Sequence, residues 1–211
     1  MLTFAIVPVK RLSEAKSSLS AVLTQKQRRE LVLAMLKDVL KATSGARSIT
    51  GTIVVSLDDD VIKFARKNGA DGVAEPGVEL NEALKLAIQS AITNGATSVL
   101  IVPSDIPFLT ADDIENIVAM ASSRRNIVIA PSKANGTNAL FLRPPDIMAT
   151  RFGGESFPAH LSEARRAGIT PHIYRSITVA TDIDDPADIA EAKKFGRGTQ
   201  TCKFLKSLPR L

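Results

Sequence analysis

The chain has 211 residues, 45% of them hydrophobic, enough for one large α/β domain or two small ones around a sizeable core. Aromatics are only 4% and tryptophan is absent, which argues against base stacking on nucleic acid, while a charge of +5 favours anionic partners. The single cysteine, Cys202, excludes an intrachain disulfide and suits a reducing cytoplasm, and the apolar start Met1–Pro8 is too short for a membrane span or a signal core.

Phe4 to Val7 reads as a buried strand stopped by Pro8. The loop after it carries Lys10, Arg11 and Lys16. Such a loop at a strand's carboxyl end suits a triphosphate, which needs dispersed positive charge. It has neither the P-loop nor the dinucleotide-binding glycine pattern. Thr24 is placed to cap a helix whose apolar residues recur at helical spacing through about Ala42, and Ser44-Gly45 ends it. Thr52 to Ser56 is a second strand. Asp58-Asp59-Asp60 follows, and capping of the helix Val61 to Lys67 is its expected role. Gly72 to Ala74 is a short strand. Glu79 to Thr93 is an amphipathic helix with Asn81 in its first turn, where it either caps or presents an amide to a nucleobase.

Val99 to Val102 is a continuous apolar run, the mark of a strand covered on both faces. It breaks at Pro103 and delivers Asp105 beyond its end. Ligands of open α/β sheets collect outside the carboxyl ends of strands. A carboxylate between Pro103 and Pro107 is therefore placed either to hold a metal ion or to cap a turn. Thr110 caps the helix that runs to Ser122. Ile127 to Ala130 is a strand, Asn135-Gly136 a turn, and Thr137 and Asn138 open a strand suited to antiparallel pairing. Strands alternating with helices predict a doubly wound, mostly parallel sheet.

Phe152 to Phe157 is a glycine-containing loop whose backbone N–H groups can approach an anion. Ala159 to Ala167 reads as a helix with His160 in its first turn, either structural or in contact with a ligand. Ile169 to Tyr174 and Ile177 to Val179 read as short strands, and Ala187 to Lys194 as a helix. In an extended Asp182-Ile183-Asp184, alternation puts both carboxylates on one face, which favours a divalent metal. The expected organisation is one domain over 1–195 and a basic tail over 196–211. The tail's apolar residues, Phe204, Leu205 and Leu208, lack an obvious core and suggest a homodimer.

These marks stand in a fixed order: Pro8-Val9-Lys10, Ala15-Lys16-Ser17, Arg28, Asp38-Val39-Leu40, Leu80-Asn81, Ser104-Asp105-Ile106-Pro107, Gly136-Thr137-Asn138-Ala139-Leu140, Gly153 with Ser156-Phe157 and His160, and Asp182-Ile183-Asp184-Asp185-Pro186. The ordered set resembles the 2-phospho-L-lactate guanylyltransferase family of coenzyme F-420 biosynthesis, over nearly the whole chain. The resemblance implies a three-layer α/β/α fold of the nucleotide-diphospho-sugar transferase kind, with a mostly parallel sheet that includes an antiparallel strand. It implies transfer of a guanylyl group from GTP to 2-phospho-L-lactate, or to phosphoenolpyruvate or a phosphoglycerate in some relatives, with release of pyrophosphate. By motif, Asp105, Asp182 and Asp184 look like ligands of Mg²⁺, and Lys10 and Lys16 like triphosphate contacts. Asp105 and Lys16 would then carry the catalysis. Thr137, Gly153 and Ser156 look like contacts to the carboxylate end of the acceptor. The chain departs from the family in having Lys16-Ser17-Ser18-Leu19 where Lys-Ser-Arg-Leu is usual, with Arg11 the candidate replacement. It also has Asn135-Gly136 where a Gly-Gly pair is usual. The competing readings are a nucleotidyltransferase using a sugar phosphate or CTP, and a catalytically silent nucleotide-binding protein.

Overall fold

The computed structural model describes residues 1–14, 16–195 and 198–208; Ala15, Gly196 and Arg197, and the end of the tail beyond Leu208, lie outside the described residues. Seven strands, β1 (Thr3–Pro8), β2 (Ile49–Ser56), β3 (Asp71–Ala74), β4 (Ser98–Ile101), β5 (Asn126–Pro131), β6 (Thr137–Arg143) and β7 (His172–Ile173), form one sheet in the order β3-β2-β1-β4-β6-β5-β7. β1 pairs in parallel with β2 and β4, β2 with β3, and β5 with β7. β6 runs antiparallel to both its neighbours, β4 and β5. The expected mostly parallel sheet with an antiparallel strand is what forms, and Asn135-Gly136 makes the hairpin turn.

Alternation along the strands builds a core on each face. Val7, Leu100 and Phe141 point to one side, where α1 (Gln25–Gly45), α2 (Asp59–Lys67), α4 (Ala111–Ala119), α7 (Pro186–Phe195) and α8 (Gln200–Ser207) cover them. Ile6, Ile101 and Leu140 point to the other, against α3 (Leu80–Thr93) and α5 (Ser156–Arg166). Three layers result. Helix starts follow their caps: Thr24 and Thr110 each form a capping box, and Asp58 accepts from Asp60 N–H. The aspartate triplet is thus a helix start, as its sequence suggested.

Two expectations are corrected. The strand foreseen over 169–174 shrinks to β7, and the segment foreseen as a strand over 177–179 is the single-turn helix α6 (Ile177–Ala180). Asp113 explains why. Its carboxylate accepts from the Tyr174 hydroxyl at 2.8 Å and the Thr178 hydroxyl at 2.7 Å, besides capping α4 through Thr110. These bonds outweigh burial and hold the Asp113 pKa below the ordinary carboxylate value. They draw the chain off the sheet after β7. The tail, too, is more ordered than its sequence suggested. Thr199 caps α8, and Asp38 on α1 accepts from Gln200 N–H, Thr201 N–H and the Thr201 hydroxyl at 2.7–2.8 Å. Cys202 and Leu205 are buried against the α1 side of the sheet. Among the described residues no helix is long and apolar enough to cross a membrane.

Candidate active site

The carboxyl ends of β1, β2 and β4 open onto one cleft of about 950 Å³. Every residue singled out as a site candidate lines it: Lys10, Arg11, Lys16, Asn81, Asp105, Thr137, Gly153, Ser156, Asp182 and Asp184. The basic loop after β1 is fastened over the sheet by Leu12 N–H donating to Asp58 Oδ2 at 3.0 Å. It ends at Lys16, whose backbone takes the left-handed conformation with φ 52° before a 3-10 turn, Ser17–Ala21.

Lys16 is the hub of one end of the cleft. Its ammonium donates to Asp105 Oδ2 at 2.8 Å and to Asp184 Oδ1 at 2.6 Å. Burial alone would lower its pKa, but the two carboxylates outweigh burial and raise it, so Lys16 is a cation. The Asp105 carboxylate is held by Lys16. The two loops are joined again where Ile183 N–H donates to the Asp105 carbonyl at 3.0 Å, and where the Ser18 hydroxyl donates to the Asp184 carbonyl. Ser18 therefore ties the loop after β1 to the Asp184 segment.

Asp182 is half-buried beside this pair. Burial first, then the charge of Asp105 and those of Asp184 and Asp188, raise its pKa to about 6. Asp185 and Asp188 are occupied elsewhere. Asp188 accepts from the N–H groups of Asp184 and Asp185, and Asp185 from those of Ala187 and Asp188, at 2.8–3.1 Å. That reciprocal cap starts α7 and leaves Asp184 to face Lys16. The spacing Asp185-x-x-Asp188 is a capping-box signal that sequence reading passed over.

The three aspartates converge but do not make a ready three-carboxylate metal site. Among the described residues no group of three or more His, Cys, Asp and Glu is arranged to hold a metal ion. The reason is Lys16, which occupies Asp105 and Asp184. Mg²⁺ commonly takes only one or two carboxylates and completes its shell with phosphate oxygens and water. The donor set thus fits a Mg²⁺ that arrives with a nucleotide better than a resident ion.

The other end of the cleft is built by the β5–β6 hairpin and α5. Asn135 adopts φ 65°, a conformation that asparagine tolerates better than most residues, so a Gly-Gly pair is not required there. A Cβ added at Gly136 would lie 2.9 Å from Ser132 Oγ, so the serine hydroxyl, which accepts from Gly136 N–H, would have to shift. The loop before α5 passes through Gly153 at φ 113° and Gly154 at φ 46°. Asn81 clamps this loop, its amide nitrogen donating to the Phe152 carbonyl at 3.0 Å and its amide oxygen accepting from Phe152 N–H at 2.8 Å. Neither a cap nor a free amide, Asn81 has one N–H and one lone pair left for a ligand. Ser156 begins α5 with its side chain in the cleft, at a helix N-terminus that favours anions. Thr137 Oγ1 lies 2.9 Å from Nδ1 of the buried His160. His160 falls in the second turn, because α5 starts earlier than its apolar pattern suggested. Sequence reading also missed Glu75, which lines the cleft and accepts from Gly77 and Val78 N–H.

The family described as "Guanylyl transferase CofC like" matches residues 3–210. The chain belongs to that family. It is 45% identical over 192 residues to a phosphoenolpyruvate guanylyltransferase of Sphaerobacter thermophilus, covering 90% of this chain and 92% of the relative. It is 38% identical over 209 residues to a 2-phospho-L-lactate guanylyltransferase of Methanothermobacter thermautotrophicus, covering 99% and 92%. In fold it is similar to a nucleotidyl transferase from Methanothermobacter thermautotrophicus, with a TM-score of 0.68 at 14% identity over 98% of this chain and 99% of that one. A cytidylyltransferase from Leptospira borgpetersenii matches with a TM-score of 0.64 at 10% identity over 98% and 93%. These two share the architecture with the guanylyltransferase family and speak to fold alone.

Proposed function

We propose that the chain transfers the guanylyl group of GTP to a phosphorylated three-carbon acid, phosphoenolpyruvate or 2-phospho-L-lactate, and releases pyrophosphate. The observation that carries this reading is the meeting in one cleft of a basic loop, three aspartates and a hydroxyl-and-glycine pocket. An oxygen of the acceptor's phosphate attacks the α-phosphorus of GTP. A P–O–P bond forms there as the bond to the β-phosphate breaks, and its electrons leave with pyrophosphate. The attacking phosphate is already an anion, so no protein nucleophile or strong base is needed; placement and charge neutralisation suffice. Lys10 and Arg11, both exposed on the cleft wall, supply positive charge to the triphosphate. Lys16 turns part of its charge from Asp105 and Asp184 toward the phosphates. Mg²⁺ would be held by one or two of the carboxylates of Asp105, Asp182 and Asp184 and would neutralise the phosphate oxygens. Thr137, Gly153 and Ser156 hold the acceptor's carboxylate and fix its phosphate in line.

The reading places the reaction in coenzyme F-420 biosynthesis and in the cytoplasm, the latter supported by the lone, buried thiol of Cys202. The tail residues that suggested a homodimer are partly taken up by α1 within the chain. Sedimentation at micromolar concentration tests the dimer, and a monomer there removes it. The function is tested by one matrix of four nucleotides against phosphoenolpyruvate, 2-phospho-L-lactate and 3-phosphoglycerate, read as pyrophosphate release with Mg²⁺ present. GTP with one of the first two acids is the expected pair. Preference for CTP, or no release with any pair, overturns the reading.

A further inference from the structure

His160 is 0% exposed and does not itself line the cleft, yet both its ring nitrogens are committed. Nε2 lies 2.9 Å from the Arg151 backbone nitrogen, and Nδ1 lies 2.9 Å from Thr137 Oγ1. A backbone N–H can only donate, so Nε2 bears no proton and accepts. A neutral imidazole has a single N–H. It must therefore sit on Nδ1 and donate to Thr137 Oγ1. The ring is kept neutral chiefly by burial, helped by the charge of Arg151 and opposed by Glu163, which together push its pKa down to about 4. Phe152 packs edge-on to the ring at 4.8 Å between centroids, and Asn81 holds the Phe152 backbone.

The consequence falls on Thr137. Its hydroxyl has one proton and two lone pairs. With the imidazole donating into one lone pair, the hydroxyl proton has to point elsewhere, and Thr137 Oγ1 lies at the cleft wall. We propose that His160 is a positioning residue that keeps the Thr137 hydroxyl proton from being spent on the imidazole and so leaves it to donate to the carboxylate of the acceptor molecule. The inference rests on the reading of Thr137 as a contact to that carboxylate. A carboxylate accepts only, so it needs that proton, and with the other ring tautomer the proton would be drawn toward Nδ1 instead.

Two measurements test this. The first needs no variant: nitrogen-15 NMR of the imidazole rings should give the Nδ1–H tautomer for His160, and an Nε2–H tautomer overturns the proposal. The second is kinetic, with phosphoenolpyruvate or 2-phospho-L-lactate, whichever is turned over. His160→Leu should raise the KM for the acid about tenfold, one lost hydrogen bond, and leave the KM for GTP unchanged. His160→Asn, which keeps an N–H near the place of Nδ1, should regain most of the loss. In a Thr137→Val background His160→Leu should add less than about twofold, because the group it acts through is gone. If Thr137→Val raises the acid's KM but His160→Leu multiplies with it, or moves both KM values alike, His160 acts otherwise and the inference fails alone. If Thr137→Val leaves the acid's KM unchanged, the assignment of Thr137 fails and takes the inference with it.

Discussion

Asp182 is a carboxylate that the fold holds against its own electrostatic preference, and removing its charge should show how strongly. Burial, then Asp105, Asp184 and Asp188, raise its pKa from 3.8 to about 6. A carboxyl raised in the native state favours folding below its unfolded pKa, and that advantage disappears as pH climbs through the native value. Near pH 8 the native protein therefore carries a penalty that Asp182→Asn removes. A rise of this size corresponds to about 3 kcal/mol at full weight. The side chain is partly open to water, and screening reduces the figure to about 1–2 kcal/mol. We expect Asp182→Asn to exceed the parent in stability by that amount near pH 8, with the gap closing toward zero near pH 4. Urea unfolding of both proteins in chelator-treated buffer across this range is the assay. Taking the difference between the two cancels the contribution of His160, which titrates over the same window. Pyrophosphate release on the same preparations should move the other way and fall by at least tenfold. A variant that is less stable than the parent near pH 8, or whose advantage does not shrink on acidification, refutes the reasoning.

Three further outcomes are expected. Asp105→Asn should cost about 10²–10³-fold in turnover, the size seen when one preorganised charge-stabilising group is removed, with the melting temperature kept; near-normal turnover in a destabilised protein contradicts the assignment. Asp38→Ala strips three hydrogen bonds from the start of α8 and should lower unfolding free energy by about 2–3 kcal/mol, measured by urea titration; an unchanged midpoint means that α8 is not docked on α1. Gly153→Ala meets no atom within 4 Å, so its cost is the backbone conformation at φ 113°, about 1–3 kcal/mol; the acid's KM should rise while that for GTP stays put, and equal rises in both would detach Gly153 from the acceptor pocket.

What was legible in the sequence is what strand and helix periodicity encode. Val99 to Val102 announced a strand buried on both faces, and Thr110 and Asp58 announced their helices, because caps and apolar runs are local signals. The β5–β6 hairpin was equally local, resting on Asn135-Gly136. The segment after Ile173 misled because its fate depends on Asp113, sixty-odd positions away, which recruits Tyr174 and Thr178. The tail misled for the same reason: Asp38 decides where Gln200 and Thr201 go. Residues that line one cleft could be picked out singly, but their partnerships could not. Lys16 could be picked as a cation at a strand end, but nothing in its neighbourhood foretold that it would join Asp105 to Asp184. Asn81 was left between a cap and a base contact, and became a clamp on Phe152 because the loop happens to pass there.

The contact between Lys16 and Asp184 spans 168 positions of chain. Synthesis proceeds from the amino end, so the last strand of the sheet, His172–Ile173, is made before Asp182 and Asp184 exist. A nascent chain can complete its sheet and cover much of its apolar surface while Lys16 still faces Asp105 alone. The Lys16 to Asp184 contact is therefore among the last that the polypeptide can make. A chain cut just short of Asp182 lacks the carboxylate that meets Lys16 from this side, and with it α7 and α8, which cover one face of the sheet.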